Sequence, residues 1–244
     1  MKHTVIVCEG ITDRDLISIY LQQVSGYSFT KNTQKFGLDQ EQKFVTIQKE
    51  DDFIYIIPSI GKTKIKKVFE KICEKTKYER EEDNLIGKMY IFTDSDEDSE
   101  KDLISLVDDR IPATNTWIDI PIKNEAFDSI TINTILLNIP PDQKGAIERF
   151  VLNSFLETGG DEKRIVSEIE DCVEAIKDVK YLKKNKKYVD KPSNKRYRDK
   201  AKVGCLLSIL SPEWSTGEII EKLKQIEWYK LKTFNELYEN LKDV

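Results

Sequence analysis

The first two thirds of the chain alternate between short apolar runs and stretches with helical periodicity, and this alternation constrains the fold more than any other feature. Apolar runs of strand length occupy residues 5–7, 53–57 and 89–92. Between them, apolar side chains recur at helical spacing in residues 16–24 and 65–72. Strands and helices in this order favour a parallel sheet with right-handed crossovers. We therefore predict an α/β fold in which a Rossmann-like parallel sheet is flanked by helices.

The last third of the chain has helical patterns alone. Before it, we predict further strands at residues 43–48, 117–122 and 130–139, and a helix at residues 145–156. A chain of 244 residues is long enough for one α/β domain with a helical appendage. We therefore divide it into an α/β domain, residues 1–156, and a C-terminal all-helical extension, residues 157–244.

The composition excludes several classes of protein. No window approaches the roughly 18 uninterrupted apolar residues of a membrane span, so we expect no membrane partner and a cytoplasmic location. The four cysteines lack the spacing of a zinc or redox pair. The single histidine, His3, precedes the first strand, where we expect it on the surface. A histidine-based triad or metal cage is therefore excluded.

Acidic residues follow two of the predicted strands. Glu9 comes after the first strand, and Asp94 and Asp96 come after the strand at residues 89–92. The carboxyl ends of parallel strands meet at one edge of a sheet, so these side chains converge if the two strands are neighbours. Asp94 and Asp96 project to the same side, and Asp98 extends the series. Crowded carboxylates repel one another unless a divalent cation binds them, which predicts a metal site. A solvated acidic turn before a helix is the alternative.

Other known acidic and glycine-rich motifs match this sequence less well. An EF-hand loop beginning at Asp94 would need glycine and glutamate where the chain has Ser99 and Ser105. A phosphate-binding loop ending in Gly61-Lys62-Thr63 would need glycine in place of Ile56. Haloacid-dehalogenase-like phosphatases and glycosyltransferases also carry Asp-x-Asp after a strand. The phosphatases usually have threonine or valine after that pair, whereas this chain has other residues there. The glycosyltransferase pattern does not include a motif that corresponds to Glu9 and the glycine after it.

The two acidic motifs resemble those that define the Toprim domain of topoisomerases, primases and small nucleases. The motifs are residues 7–13, VCEGITD, and residues 91–96, IFTDSD, and the resemblance covers about residues 1–156. The segments at residues 59–62, SIGK, and 145–148, GAIE, are similar to those of stand-alone Toprim proteins with helical tails. These proteins are relatives of the overcoming-lysogenization-defect nucleases.

The resemblance implies roles for individual residues. Glu9 would be the general acid or base, with Asp94 and Asp96 as catalytic ligands of Mg²⁺ or Mn²⁺. Glu9 and Asp98 would complete the metal set. Asp13 and Glu148 would support the site. Lys62 lies in a loop beside the expected site, where we expect it to contact a phosphate; an exposed cation at the start of a helix is the alternative.

Charge is distributed unevenly along the chain. Residues 177–202 hold twelve Lys or Arg against three Asp, a balance of +9, which leaves −14 on the rest of a chain whose net charge is −5. Four of these cations are expected to contact nucleic-acid phosphates: Lys186, Lys187, Arg196 and Arg198. A solvated loop is the alternative for this basic segment.

Three functions remain open at this point. The resemblance implies a Mg²⁺-dependent nuclease that hydrolyses phosphodiester bonds of DNA or RNA, in nucleic-acid processing or phage defence. The first alternative is a non-catalytic module of the same fold that binds nucleic acid or a partner. The second is a phosphohydrolase of small molecules.

Overall fold

The computed structural model describes most of the chain. The described residues are 3–31, 36–38, 43–95, 98–139, 146–175, 181–182, 188–189, 195–210, 223–224 and 226–242. The chain divides into two compact units. The first comprises residues 1–144 with 238–244, and the second comprises residues 145–237. The division predicted at residue 156 assigns residues 145–156 to the α/β domain, whereas the contacts of the structure group them with the helices that follow.

The first unit contains a sheet of seven strands. They are β1 (His3–Cys8), β2 (Ser28–Thr30), β3 (Val45–Lys49), β4 (Asp52–Pro58), β5 (Ile86–Asp94), β6 (Trp117–Asn124) and β7 (Asp128–Ile139). Their order across the sheet is β2-β3-β4-β1-β5-β7-β6. The four central strands, β4, β1, β5 and β7, run parallel as predicted.

The prediction of a parallel sheet is wrong at both edges. β3 runs antiparallel to β2 and β4, and β6 runs antiparallel to β7, so the sheet is mixed. The physical reason is the length of the connections. Only residues 50–51 join β3 to β4, and residues 125–127 join β6 to β7. Such short links form hairpins, because a crossover between parallel strands needs a dozen residues or more.

Helices cover the two faces of this sheet. α1 (Ile11–Ser25) follows β1, α2 (Ile65–Tyr78) follows β4, and the short α3 (Glu100–Ser105) follows β5. Apolar side chains of α2 share one buried cluster with Val5, Val7 and Ile91 of the central strands. On the other face, Tyr238 contacts Tyr20 of α1 and Phe92 of β5 through their rings. Burial of this apolar surface is the main force that holds helices and sheet together.

His3 differs from its expected surface position. It lies within β1, is 7% exposed, and its ring packs edge-on against Phe53 and Tyr55. Burial lowers the pKa of the imidazole, followed in effect by the charge of the chain's N-terminus. His3 is therefore a core residue at the opposite end of β1 from Glu9.

The second unit is mainly helical. The helices among its described residues are α4 (Ile147–Thr158), α5 (Gly160–Ala175), α6 (Lys195–Leu210) and α7 (Lys232–Leu237). The ring of Trp228 packs against those of Phe155 and Phe234, and all three side chains are buried. The expectation of an all-helical extension is wrong in one detail, because β8 (Tyr181–Leu182) and β9 (Tyr188–Val189) pair antiparallel. Among the described residues, no helix is both long enough and apolar enough to cross a bilayer.

Candidate functional site

The strands that precede the two acidic motifs are neighbours. β1 and β5 pair in parallel, with Val5 opposite Met89 and Val7 opposite Ile91. Glu9 follows the last residue of β1, and Asp94 is the last residue of β5. Both residues consequently lie at the carboxyl edge of the sheet, where ligands of open parallel sheets bind.

A pair of hydrogen bonds ties the Glu9 carboxylate to the end of β5. Glu9 Oε1 accepts from the main-chain N–H of Asp94 at 2.8 Å and from Thr93 Oγ1 at 2.9 Å. Glu9 is 8% exposed and Thr93 is 1% exposed. Burial of a carboxylate is costly unless hydrogen bonds compensate for the lost water, and these two donors provide that compensation. The Glu9 side chain is therefore fixed beside Asp94.

The loop that follows β4 holds the main chain of Glu9. Ser59 N–H donates to the Cys8 carbonyl at 2.8 Å, and Gly61 N–H donates to the Glu9 carbonyl at 2.9 Å. Between them, Ile60 has φ 58°. A left-handed conformation of a β-branched residue costs about 1–2 kcal/mol. The strained residue Ile60 therefore lies between the two residues whose N–H groups hold the main chain of Cys8 and Glu9.

Lys62 reaches from this loop to the end of β5. Its Nζ donates to the Asp94 carbonyl at 2.5 Å and forms an ion pair with Asp98 Oδ2 at 2.6 Å. The main-chain N–H of Asp98 donates to the Ser95 carbonyl at 3.0 Å. The structure therefore places Lys62 at the candidate site and makes Asp98, a predicted metal ligand, its ionic partner.

Asp13 and Glu148, the two predicted supporting residues, have other partners. Asp13 Oδ2 accepts from the main-chain N–H of Gly10 at 2.7 Å, which closes the start of α1 directly behind Glu9. Glu148 belongs to the second unit, where it forms an ion pair with Lys200 of α6 at 3.3 Å. Asp13 is thus a neighbour of the site in sequence and structure, whereas Glu148 contacts a helix of its own unit.

The metal set cannot be completed from the described residues. Asp96 lies outside them, and within the described ranges no group of three Asp, Glu, Cys or His side chains is arranged to hold a metal ion. Glu9 and Asp94 carry the hard oxygen donors that Mg²⁺ prefers. The chemical type of these two side chains is therefore suitable for binding a divalent cation, and Asp96 is the third expected ligand.

The described cations of the basic segment pair with carboxylates of their own unit. Arg198 forms an ion pair with Glu174 at 2.7 Å, and Lys202 contacts the same carboxylate at 3.1 Å. The 3%-exposed Asp199 of α6 binds the guanidinium of Arg149 on α4. Lys186 and Lys187 lie outside the described residues, and of Arg196 only the main chain, in α6, is described. Arg198 is therefore used in packing α6 against α5.

Sequence reasoning missed two residues beside the site. Thr93 had a local signal, because it immediately precedes Asp94 and carries a donor. Tyr238 had none, because it comes from the far end of the chain. Tyr238 is 0% exposed, and its pKa is raised well above the usual tyrosine value by burial first and then by Asp13, Cys8 and Asp94. Its phenol therefore stays protonated close to the acidic groups.

Comparisons with known proteins define the class of fold. No protein-family model matches the chain, and no curated protein matches it. The crystal structure of a hypothetical protein from Pyrococcus horikoshii OT3 is similar, with a TM-score of 0.54 and 16% sequence identity. The match covers 98% of this chain and 95% of that one. At this identity the similarity shows a shared fold, namely an α/β sheet with helices on both faces followed by a helical part.

Proposed function

We propose that the chain is a Toprim-type nuclease that uses Mg²⁺ or Mn²⁺ to hydrolyse phosphodiester bonds of DNA or RNA. The observation that carries this proposal is the fixed position of the Glu9 carboxylate against the main chain of Asp94. Two acidic motifs from separate parts of the chain meet at the sheet edge where phosphate ligands of α/β proteins bind. Their order and sequence are those that resemble the Toprim motifs.

The residues of this edge have complementary roles in the proposal. Glu9, Asp94 and Asp96 would hold the divalent cation, which when bound stabilises negative charge on a phosphodiester. Glu9 would also exchange a proton with the reacting groups. Lys62 would contact a phosphate oxygen, since it brings a positive charge to the same edge. Histidine is not required for any of these roles.

Contact with the nucleic-acid backbone is proposed for the basic segment. Lys186, Lys187 and Arg196 would neutralise phosphates, and the affinity would fall as salt rises. Arg198 would contribute less to phosphate binding, because its charge is already neutralised by Glu174. The segment would then guide the polynucleotide by charge, with no sequence information of its own.

Cleavage of labelled substrates tests the proposal. Single- and double-stranded DNA and RNA are incubated with the wild type, Glu9→Gln and Asp94→Asn, with Mg²⁺, with Mn²⁺ and with EDTA. We expect metal-dependent cleavage by the wild type and a loss of at least about 100-fold in each variant, because each removes a charged group from the reacting centre. Glu70→Gln, an exposed carboxylate on α2, is the matched control and should cleave like the wild type.

The same experiment separates the alternatives. If wild type and Glu9→Gln are equally inert on every polynucleotide, the nuclease proposal fails. Turnover of p-nitrophenyl phosphate without cleavage of polynucleotide would instead indicate a phosphohydrolase of small molecules. Binding of polynucleotide without any turnover would indicate a non-catalytic module.

A further inference from the structure

Two helices of the second unit that are joined by ion pairs carry opposite net charges. α5 holds six Asp or Glu against two Lys or Arg, a net charge of −4. α6 holds five Lys or Arg against one Asp, a net charge of +4. The backbone of a polynucleotide is likewise a row of negative charges. The acidic helix α5 therefore offers the cations of α6 the same kind of partner that a phosphate backbone would offer.

The inner part of the contact between these helices is buried. Lys202 of α6 pairs with Glu170 of α5 at 3.5 Å, and Asp199 of α6 pairs with Arg149 of α4. Arg149 also contacts Glu170 at 3.3 Å, so these residues join α4, α5 and α6. The side chains of Asp199 and Lys202 are almost fully buried. A phosphate from solution therefore cannot reach Lys202 while the helices are packed.

The outer part of the same contact is open to solvent. Arg198 Nη1 donates to Glu174 Oε2 at 2.7 Å, and Lys202 Nζ lies 3.1 Å from Glu174 Oε1. The side chains of Arg198 and Glu174 are 29% and 47% exposed. An exposed ion pair is weak, and a guanidinium binds phosphate oxygens as well as carboxylate oxygens. Arg198 can thus exchange Glu174 for a phosphate while the inner part of the contact stays in place.

We infer that Glu174 competes with phosphate for Arg198, so that the acidic helix α5 limits the affinity of α6 for a polyanion. The inference rests on the proposed contact of the basic segment with a nucleic-acid backbone. The competing carboxylate is part of the same unit, so its effective concentration at Arg198 is high. Removal of this carboxylate frees Arg198 for the polynucleotide, whereas Lys202 keeps Glu170 as its partner.

Binding of a fluorescein-labelled oligothymidylate tests this competition. Fluorescence anisotropy is measured with the full-length protein in EDTA, so that cleavage does not contribute, at about 50 to 200 mM NaCl. We expect Glu174→Gln and Glu174→Ala to bind about threefold more tightly than the wild type at the lowest salt. The slope of log affinity against log salt should steepen by about 0.7, which corresponds to one more phosphate contact on a single strand. Circular dichroism checks that each variant folds.

Two further variants control for net charge and for the identity of the released cation. Glu168→Gln makes the same change at an exposed position of α5 and should bind like the wild type. Arg198→Gln combined with Glu174→Gln should abolish the gain in affinity and in slope, because the cation that Glu174 covers is then absent.

The outcomes separate this inference from the function on which it rests. Affinities and slopes of both Glu174 variants equal to those of the wild type would overturn the competition and leave the proposed contact of the basic segment intact. An equal gain in Glu168→Gln would also overturn it, because net charge alone would then explain the effect. Absence of binding by the wild type and by both Glu174 variants would remove the nucleic-acid contact and this inference together, whereas the cleavage assay judges the nuclease activity.

Discussion

Thr93 explains how Glu9 is oriented. Its hydroxyl donates to Glu9 Oε1 from a position that is 1% exposed, so water cannot replace the bond. The second donor to the same oxygen is the main-chain N–H of Asp94, which every substitution except proline retains. The orientation of Glu9 therefore depends on one side chain that can be changed without altering the charge of the site.

Thr93→Val should weaken the site while Thr93→Ser should preserve it. Valine keeps the shape of threonine but removes the donor to a charged group, which costs about 1.5–3 kcal/mol. We expect a lower free energy of unfolding in urea and weaker Mn²⁺ binding for Thr93→Val, with both largely restored in Thr93→Ser. Thr134→Val is the control, because Thr134 is equally buried on β7 but donates to the Ile132 carbonyl. Equal losses of Mn²⁺ affinity in Thr93→Val and Thr134→Val would contradict this role.

The sequence predicts that Glu9 and Asp94 lie close together, but it does not predict which side chains contact them. Glu9 and Asp94 are recognisable because each follows an apolar strand, and the pairing of β1 with β5 brings them together. The contacts of Thr93 and Lys62 depend on side-chain rotamers and on the loop at Ile60, for which the sequence has no periodic signal. Glycine would adopt the left-handed conformation of Ile60 at no steric cost, whereas the isoleucine that stands there does not.

The strands and helices are predicted more securely than their directions. Each central strand has the expected apolar run, but the antiparallel pairing of β3 and β6 follows from connections of two and three residues. The basic segment is a second example. Its charge is visible in the sequence, whereas the pairing of α6 with carboxylates of α4 and α5 is not, because those partners lie on other helices. The periodicity of a sequence predicts which face of a helix or strand is buried. It does not predict which other element packs against that face.

The ion pairs of α6 are expected to make the stability of the second unit depend on pH. A hydrogen bond from Lys202 lowers the pKa of Glu174 below its usual 4.5, against a smaller opposing effect of burial and with a further contribution from Arg198. A lowered folded-state pKa stabilises the protein above the unfolded value, and this contribution is lost as the pH falls through the folded value. The packing of α6 on α5 is therefore expected to weaken below about pH 4.5.

Glu174→Gln should remove this part of the pH dependence. We expect the variant to be less stable than the wild type at about pH 6, and the difference to shrink as the pH approaches about 3. Urea unfolding followed by circular dichroism measures both values. Glu168→Gln, an exposed carboxylate on the same helix, serves as the control. A stability difference between wild type and Glu174→Gln that stays constant across this range would show that the ion pairs do not form.

The last residues of the chain belong to the first unit. Residues 238–244 belong with residues 1–144, and Tyr238 and Leu241 are 0% exposed there. The second unit is thus inserted between β7 and the C-terminal residues. The α/β class and the helical character of the last third were predictable from periodicity. This return was not, because it depends on a few apolar residues whose partners are far away in sequence.

The central proposal is that Glu9 and Asp94, brought together by the pairing of β1 with β5, bind a divalent cation. Crystals of the full-length protein soaked in Mn²⁺ test it most directly, because anomalous diffraction locates the ion independently of any assay. We predict a Mn²⁺ ion coordinated by oxygen atoms of both carboxylates. Crystals saturated with Mn²⁺ in which neither the Glu9 nor the Asp94 carboxylate contacts an ion would contradict the account.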